Sequence, residues 1–195
     1  QMLNTTKIND GRNFAHGFAF FMDSFNGHKL IQHFGSTVGG FGSIVKYYPK
    51  EKITIAVINN LEDGGFGSEY IAKRVAGFYI PGAFPSGMKE IVDAKQTQEA
   101  LRVLKEIADN KTPETLSANY AKNVSETFRK QTFENLKQMK SFAYLGNEKI
   151  TALHFIPDPN AAEIFHYKMT LGRKTVFYHF RMNKEGKIGW IVFED

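Results

Sequence analysis

A chain of 195 residues with 42% hydrophobic and 23% charged residues is long enough for one large domain or two small ones, and its composition is ordinary for a globular protein. The net charge of +5 is spread through both halves with no basic block among aromatics, which argues against a nucleic-acid stripe; no apolar run approaches the ~20 residues of a membrane span. The absence of cysteine excludes disulfides and thiolate metal sites, and eighteen Phe residues supply ample core material.

In chain order, Gly17 to Asp23 predicts a strand, Asn26-Gly27 a two-residue turn, and His28 to Phe34 the returning strand. Phe41 to Tyr48 and Lys52 to Asn60 predict a second hairpin around Pro49-Lys50-Glu51. Glu62 to Gly67 reads as a loop and Ser68 as the N-cap of a helix whose buried face is Ile71, Val75 and Phe78. The result is an antiparallel meander closed by one helix. Such a meander has an exposed edge, so a homodimer, a preceding N-terminal segment or the second half of the chain is expected to cover the first sheet.

Ile80 to Met88 holds two Pro and two Gly, the composition of a linker. The pattern then restarts. Ala100, Val103, Leu104 and Ile107 form a helical stripe. Thr112-Pro113 reads as an N-cap and first helical residue, with Leu116, Tyr120, Val124 and Phe128 following at spacing four. Phe133, Leu136 and Met139 predict a third short helix. Four strands complete the chain: Lys149 to Ile156, Glu163 to Thr170, Lys174 to Met182 and Lys187 to Phe193. Their turns are Pro157 to Asn160, Leu171-Gly172 and Asn183 to Gly186. The fold class is therefore α+β, with helices packed on a curved four-stranded antiparallel sheet after the meander. The divisions are residues 1–83, a linker over 84–94, and a second domain over 95–195.

The run His33-Phe34-Gly35-Ser36-Thr37-Val38-Gly39-Gly40-Phe41-Gly42-Ser43, with the strand Ile53 to Asn60 after it, resembles the C-terminal part of a serine β-lactamase or penicillin-binding-protein-like hydrolase. Lys7-Ile8-Asn9-Asp10-Gly11 and His16-Gly17-Phe18-Ala19-Phe20 look like two earlier landmarks of that family, with His16 for the usual Tyr and Ala19 for the second Gly. Glu69 to Tyr79 and Pro81-Gly82 look like its closing helix and tail, so the resemblance spans about residues 3 to 82. It implies that His33, Gly35 and Ser36 are the substrate-binding third motif, the Ser36 backbone N–H being one of two oxyanion-hole donors. Residues 95–195, with Gly186-Lys187-Ile188 before the last strand, resemble a nuclear transport factor two-like, or cystatin-like, accessory domain.

The family's chemistry needs a Ser with a Lys three residues on at a helix start, and a Tyr on a second loop. Both motifs come before this point in family order, and no Tyr-x-Asn occurs in the chain. Ser43-Ile44-Val45-Lys46 has the first form but lies in a strand, where Ser43 and Lys46 face opposite ways. No catalytic residue is assigned. The chain therefore reads as a hydrolase tail without its nucleophile, truncated and inactive alone, whose complete form would act on a β-lactam, a peptidoglycan peptide or an ester. The alternative is a non-enzymatic binding protein built on the cystatin-like domain, with a small-molecule or peptide ligand. Gln1 begins no signal peptide, but the resemblance implies a periplasmic or extracellular location.

Other groupings are weaker. The glycines Gly35, Gly39, Gly40 and Gly42 lack the Lys and helix of a phosphate-binding loop. His154, His166 and His179 fall on neighbouring strands, but Lys168 and Arg181 beside them would repel a cation, so no metal and no cofactor is expected. They read as half-exposed sheet histidines. Trp190, Tyr167, Phe180 and Tyr178 are candidates to line a pocket between sheet and helices.

Overall fold

The computed structural model describes residues 3–9, 11, 13–37, 39–60, 66–151 and 160–194. The protein is α+β and divides into two compact units, residues 1–88 with 150–157 and residues 89–149 with 158–195. Among the described residues, no helix is long and apolar enough to cross a membrane.

The first unit opens with a two-residue ladder, β1 (Thr6–Lys7) against β2 (Asn13–Phe14). The meander follows: β3 (Phe21–Phe25), β4 (His28–Thr37), β5 (Phe41–Tyr48) and β6 (Ile53–Asn59), antiparallel and in sequence order. Asn26 and Gly27 both take positive φ, 48° and 79°, as a two-residue hairpin turn requires. The first strand starts later than Gly17, because Ala19 sits at φ 72° and breaks extended backbone before Phe21.

Helix α1 (Phe66–Tyr79) closes this sheet, and of the face expected only Val75 packs against the core. Ser68, Ala72, Ala76 and, just beyond the helix, Ile80 are buried, while Ile71 is exposed and Phe78 is 85% exposed. The buried stripe consists of small residues, which lets the helix lie close over Leu30, Ile44, Tyr48 and Ile55. Large apolar residues on the outer stripe carry the stronger periodic signal and hide it. Nor is Ser68 an N-cap. It lies inside the helix, and its Oγ accepts a hydrogen bond from Asn59 Nδ2 at 2.7 Å.

In the second unit α2 (Ala94–Ala108) is capped by Asp93, whose carboxylate accepts from the Gln96 N–H, and buries the expected stripe Ala100, Val103, Leu104 and Ile107. The single helix expected over 112 to 128 is instead a turn and two helices. These are α3 (Ala118–Asn123), capped by Ser117, and α4 (Glu126–Gln138), capped by Ser125. Each serine hydroxyl takes a helix-opening N–H, from Tyr120 and Phe128 respectively, and Val124 between them is extended. Phe133 and Leu136 belong to α4 rather than to a separate helix.

The sheet of this unit is β7 (Ser141–Lys149), β8 (Ala161–Leu171), β9 (Lys174–Asn183) and β10 (Ile188–Glu194), antiparallel in the order β10-β9-β8-β7. Its first strand precedes the expected Lys149 to Ile156. Residues 152–156, like turn residues 157–159, lie outside the described residues. Tyr167, Met169 and Leu171 of β8 with Val176, Tyr178 and Phe180 of β9 pack under α2 to form the core.

Candidate functional site

His33, Gly35 and Ser36 lie on β4, and the length of the neighbouring strand decides what they can do. β3 follows β4 only from His28 to Gln32, while β5 continues opposite His33 to Thr37. Among the described pairs the second half of β4 is thus laddered on one side only. His33 and Ser36 are exposed there. The His33 ring stacks on Phe21, with centroids 6.0 Å apart and planes 17° apart, and meets Phe20 edge-on. Phe34 stacks on Phe21 at 5.5 Å and on the His33 ring at 6.3 Å. Gly35 lies across from Ser43, whose hydroxyl donates to the Gly35 carbonyl at 3.4 Å.

Ser43 and Lys46 face opposite sides of the sheet, as alternation requires. Lys46 points under α1 with Ile44 and Tyr48 and is 1% exposed. Its ammonium donates to Gln32 Oε1 at 2.5 Å and to Glu69 Oε1 at 3.0 Å. Burial holds it below the ordinary lysine range, against the opposing pull of Glu69. This ion pair went unnoticed in the sequence, although a lysine at the buried parity of an alternating strand was its signal. A second Ser-x-x-Lys, Ser86 to Lys89, also went unnoticed. Its serine is exposed in a single 3-10 turn (Pro85–Gly87) and Met88 is extended, so it opens no helix.

The second unit holds a cavity of about 230 Å³ between α2 and the helix side of its sheet. Ala100, Val103, Phe165, Tyr167, Phe180 and Met182 make its walls apolar, with Gln96, Glu99 and Thr115 as the polar lining. Of the aromatics expected to line a pocket, Tyr167 and Phe180 do so. Tyr178 is buried elsewhere in the core, accepting a hydrogen bond from Asn135 Nδ2, and Trp190 is tilted against Tyr120. Arg102 donates to the Glu99 carboxylate at 2.6 Å, which holds Glu99 below the usual carboxylate range. Thr115 Oγ1 is buried without a hydrogen-bond partner. An unsatisfied buried hydroxyl costs stability, so Thr115→Val is expected to raise the unfolding free energy by about 1 kcal/mol in urea titration. A destabilised variant would show that the hydroxyl has a partner in solution.

On the opposite side of the same sheet the histidines are not half-exposed as expected. His166 is 1% and His179 8% exposed, directly opposite each other on β8 and β9. Their Nδ1 atoms stand 2.7 Å apart. His166 Nε2 lies 3.2 Å from Glu148 and His179 Nε2 3.3 Å from Glu194. His154 lies outside the described residues, and among those described no three His, Asp or Glu converge on a metal position. Two bulges bring the acids here. An extra residue in β7 between Tyr144 and Gly146 turns Glu148 to the histidine side, and one in β10 between Ile188 and Trp190 does the same for Glu194.

Comparison of the chain with models of known families, with curated proteins and with solved structures found no match.

Proposed function

We propose that β4 is the cleft-edge strand of a serine β-lactamase-like hydrolase, with His33, Gly35 and Ser36 as its third motif, and that residues 95–195 form a cystatin-like domain binding a small, largely apolar ligand. The observation that carries the first part is the one-sided ladder of His33 to Thr37. A carbonyl substrate needs backbone donors that no neighbouring strand has already taken, and these residues have β5 on one side alone. In the acyl-transfer step a serine oxygen attacks the carbonyl while such donors hold the developing oxyanion, each worth roughly 3 kcal/mol. Ser36 N–H would be one donor, and His33, braced by Phe20 and Phe21, would flank the substrate.

Among the described residues, neither Ser-x-x-Lys brings a nucleophile and a base together. Ser43 and Lys46 face opposite sides of the sheet, and Ser86 opens no helix. The nucleophile would come from a Ser-x-x-Lys outside these 195 residues. The segment carrying it would have the outer stripe of α1 (Ile71, Phe78) and the exposed β6 face (Ala56, Ile58) to pack against. The reading carries with it a periplasmic or extracellular location. The cavity beside Thr115 supports the second domain's part, and favours the non-enzymatic alternative should the first part fail.

Fluorescent penicillin and intact-mass measurement test it, together with the coding sequence upstream. The 195-residue chain is expected to take no adduct, and a chain extended through an upstream Ser-x-x-Lys and Tyr-x-Asn is expected to be acylated. An adduct on Ser43 or Ser86, or an upstream sequence carrying neither motif, overturns the proposal.

A further inference from the structure

The Glu148–His166–His179–Glu194 row spans all four strands of the second sheet, and three contacts along it engage all four ring nitrogens. Each of its three contacts needs one proton. Ionised carboxylates only accept, so both Nε2 atoms carry N–H groups. The remaining contact joins two Nδ1 atoms, of which one must donate and the other accept. The two rings therefore hold three protons between them, the content of one imidazolium and one neutral imidazole, set between two carboxylates. A fourth proton would turn two N–H groups toward each other across 2.7 Å and break the central bond. Removal of the third would leave a lone pair facing a lone pair there, or facing a carboxylate at one end.

We propose that His166 and His179 share one proton between their Nδ1 atoms, and that the four-residue row is an acid-sensitive latch across β7 to β10. Near-complete burial of both rings keeps water from replacing the shared bond. Among the described residues, the charged groups that the strands place on this side of the sheet are Glu148 on β7, Lys168 on β8, Arg181 on β9 and Glu194 on β10. The Lys168 ammonium is bound to Glu90 at 2.7 Å. The acids sit at the outer ends of the row, so the positive charge of the pair is matched from both sides. Interacting groups of this kind release and take up protons as a pair rather than as two sites.

Histidine ring nitrogen NMR on the full ¹⁵N-labelled chain, from about pH 8 down to about pH 5, reads the proton count directly. Three of the four ring nitrogens are expected to be protonated at the upper end, with one hydrogen-bonded ring proton shifted far downfield. On acidification that signal should vanish in the same step in which the fourth nitrogen gains its proton. In His179→Asn the downfield proton and the paired step should both be lost. Two rings that titrate independently, with no downfield proton, overturn the proposal. So does a His166 curve unchanged by His179→Asn, or Zn²⁺ displacing the shared proton and shifting both Nδ1 signals at one equivalent, since the pair would then be a metal site. Should the variant fail to fold, the spectra of the unaltered protein decide alone.

Discussion

Leu104→Ala is expected to lower the stability of the second unit by about 3 kcal/mol, within the range for leucines deleted from well-packed cores. Leu104 is fully buried on α2 between Val103 and Ile107, against a sheet whose core-facing residues include Met169, Val176 and Tyr178. The sheet beneath is laddered along all four strands, so it cannot collapse far into the space vacated. Trp190, the one tryptophan in the chain, belongs to this unit, and its fluorescence in urea follows this unit. A loss under about 1 kcal/mol would mean that α2 shifts to fill the gap and is less fixed than its packing implies.

The buried ion pair of the first unit predicts opposite outcomes for its two members. Glu69→Ala removes the carboxylate that compensates a fully buried ammonium and is expected to cost about 2 kcal/mol, less than the roughly 3–5 kcal/mol of a fully buried broken pair because Glu69 is 31% exposed. Lys46→Met removes the buried charge among Ile44, Tyr48 and Ile55 and leaves Glu69 31% exposed and 3.6 Å from Lys73, so it is expected to be neutral or mildly stabilising. The pH dependence follows from the same burial. Because folding holds Lys46 below the ordinary lysine range, the unfolded chain binds that proton more tightly. The cost of burial is therefore fully present below the folded value, and stability from this group rises as pH climbs from the folded value toward the unfolded one. Lys46→Met should abolish that rise. Far-UV circular dichroism in urea at neutral and alkaline pH measures both variants, and a Glu69→Ala no weaker than Lys46→Met would refute the pairing.

What could be read from the sequence was mostly local. The hairpin at Asn26-Gly27, the strand order of the first sheet and the stripe of α2 follow from neighbouring residues and from the period of the apolar ones. The inner face of α1 was misread because Ala72 and Ala76 give a weak signal beside Ile71 and Phe78. Ser125 reads as one more polar position in a helix at spacing four, until its hydroxyl is seen to cap a new one. The candidate third motif was visible as residues. Its one-sided ladder was not, since that depends on β3 starting only at Phe21, after Ala19 at positive φ. Alternation placed His166 and His179 on their correct faces, but bulges in β7 and β10 decide that Glu148 and Glu194 join them.

Those bulges make strand length a constraint separate from residue identity. Deleting the extra residue itself, Gly189 in β10 or Leu145 in β7, would leave every residue beyond it opposite the partner it now faces. Deleting a residue past the bulge, such as Val192, would instead carry Phe193 out of the apolar core and turn Glu194 into it. In the two outer strands of this sheet, then, the place of a deletion decides its severity.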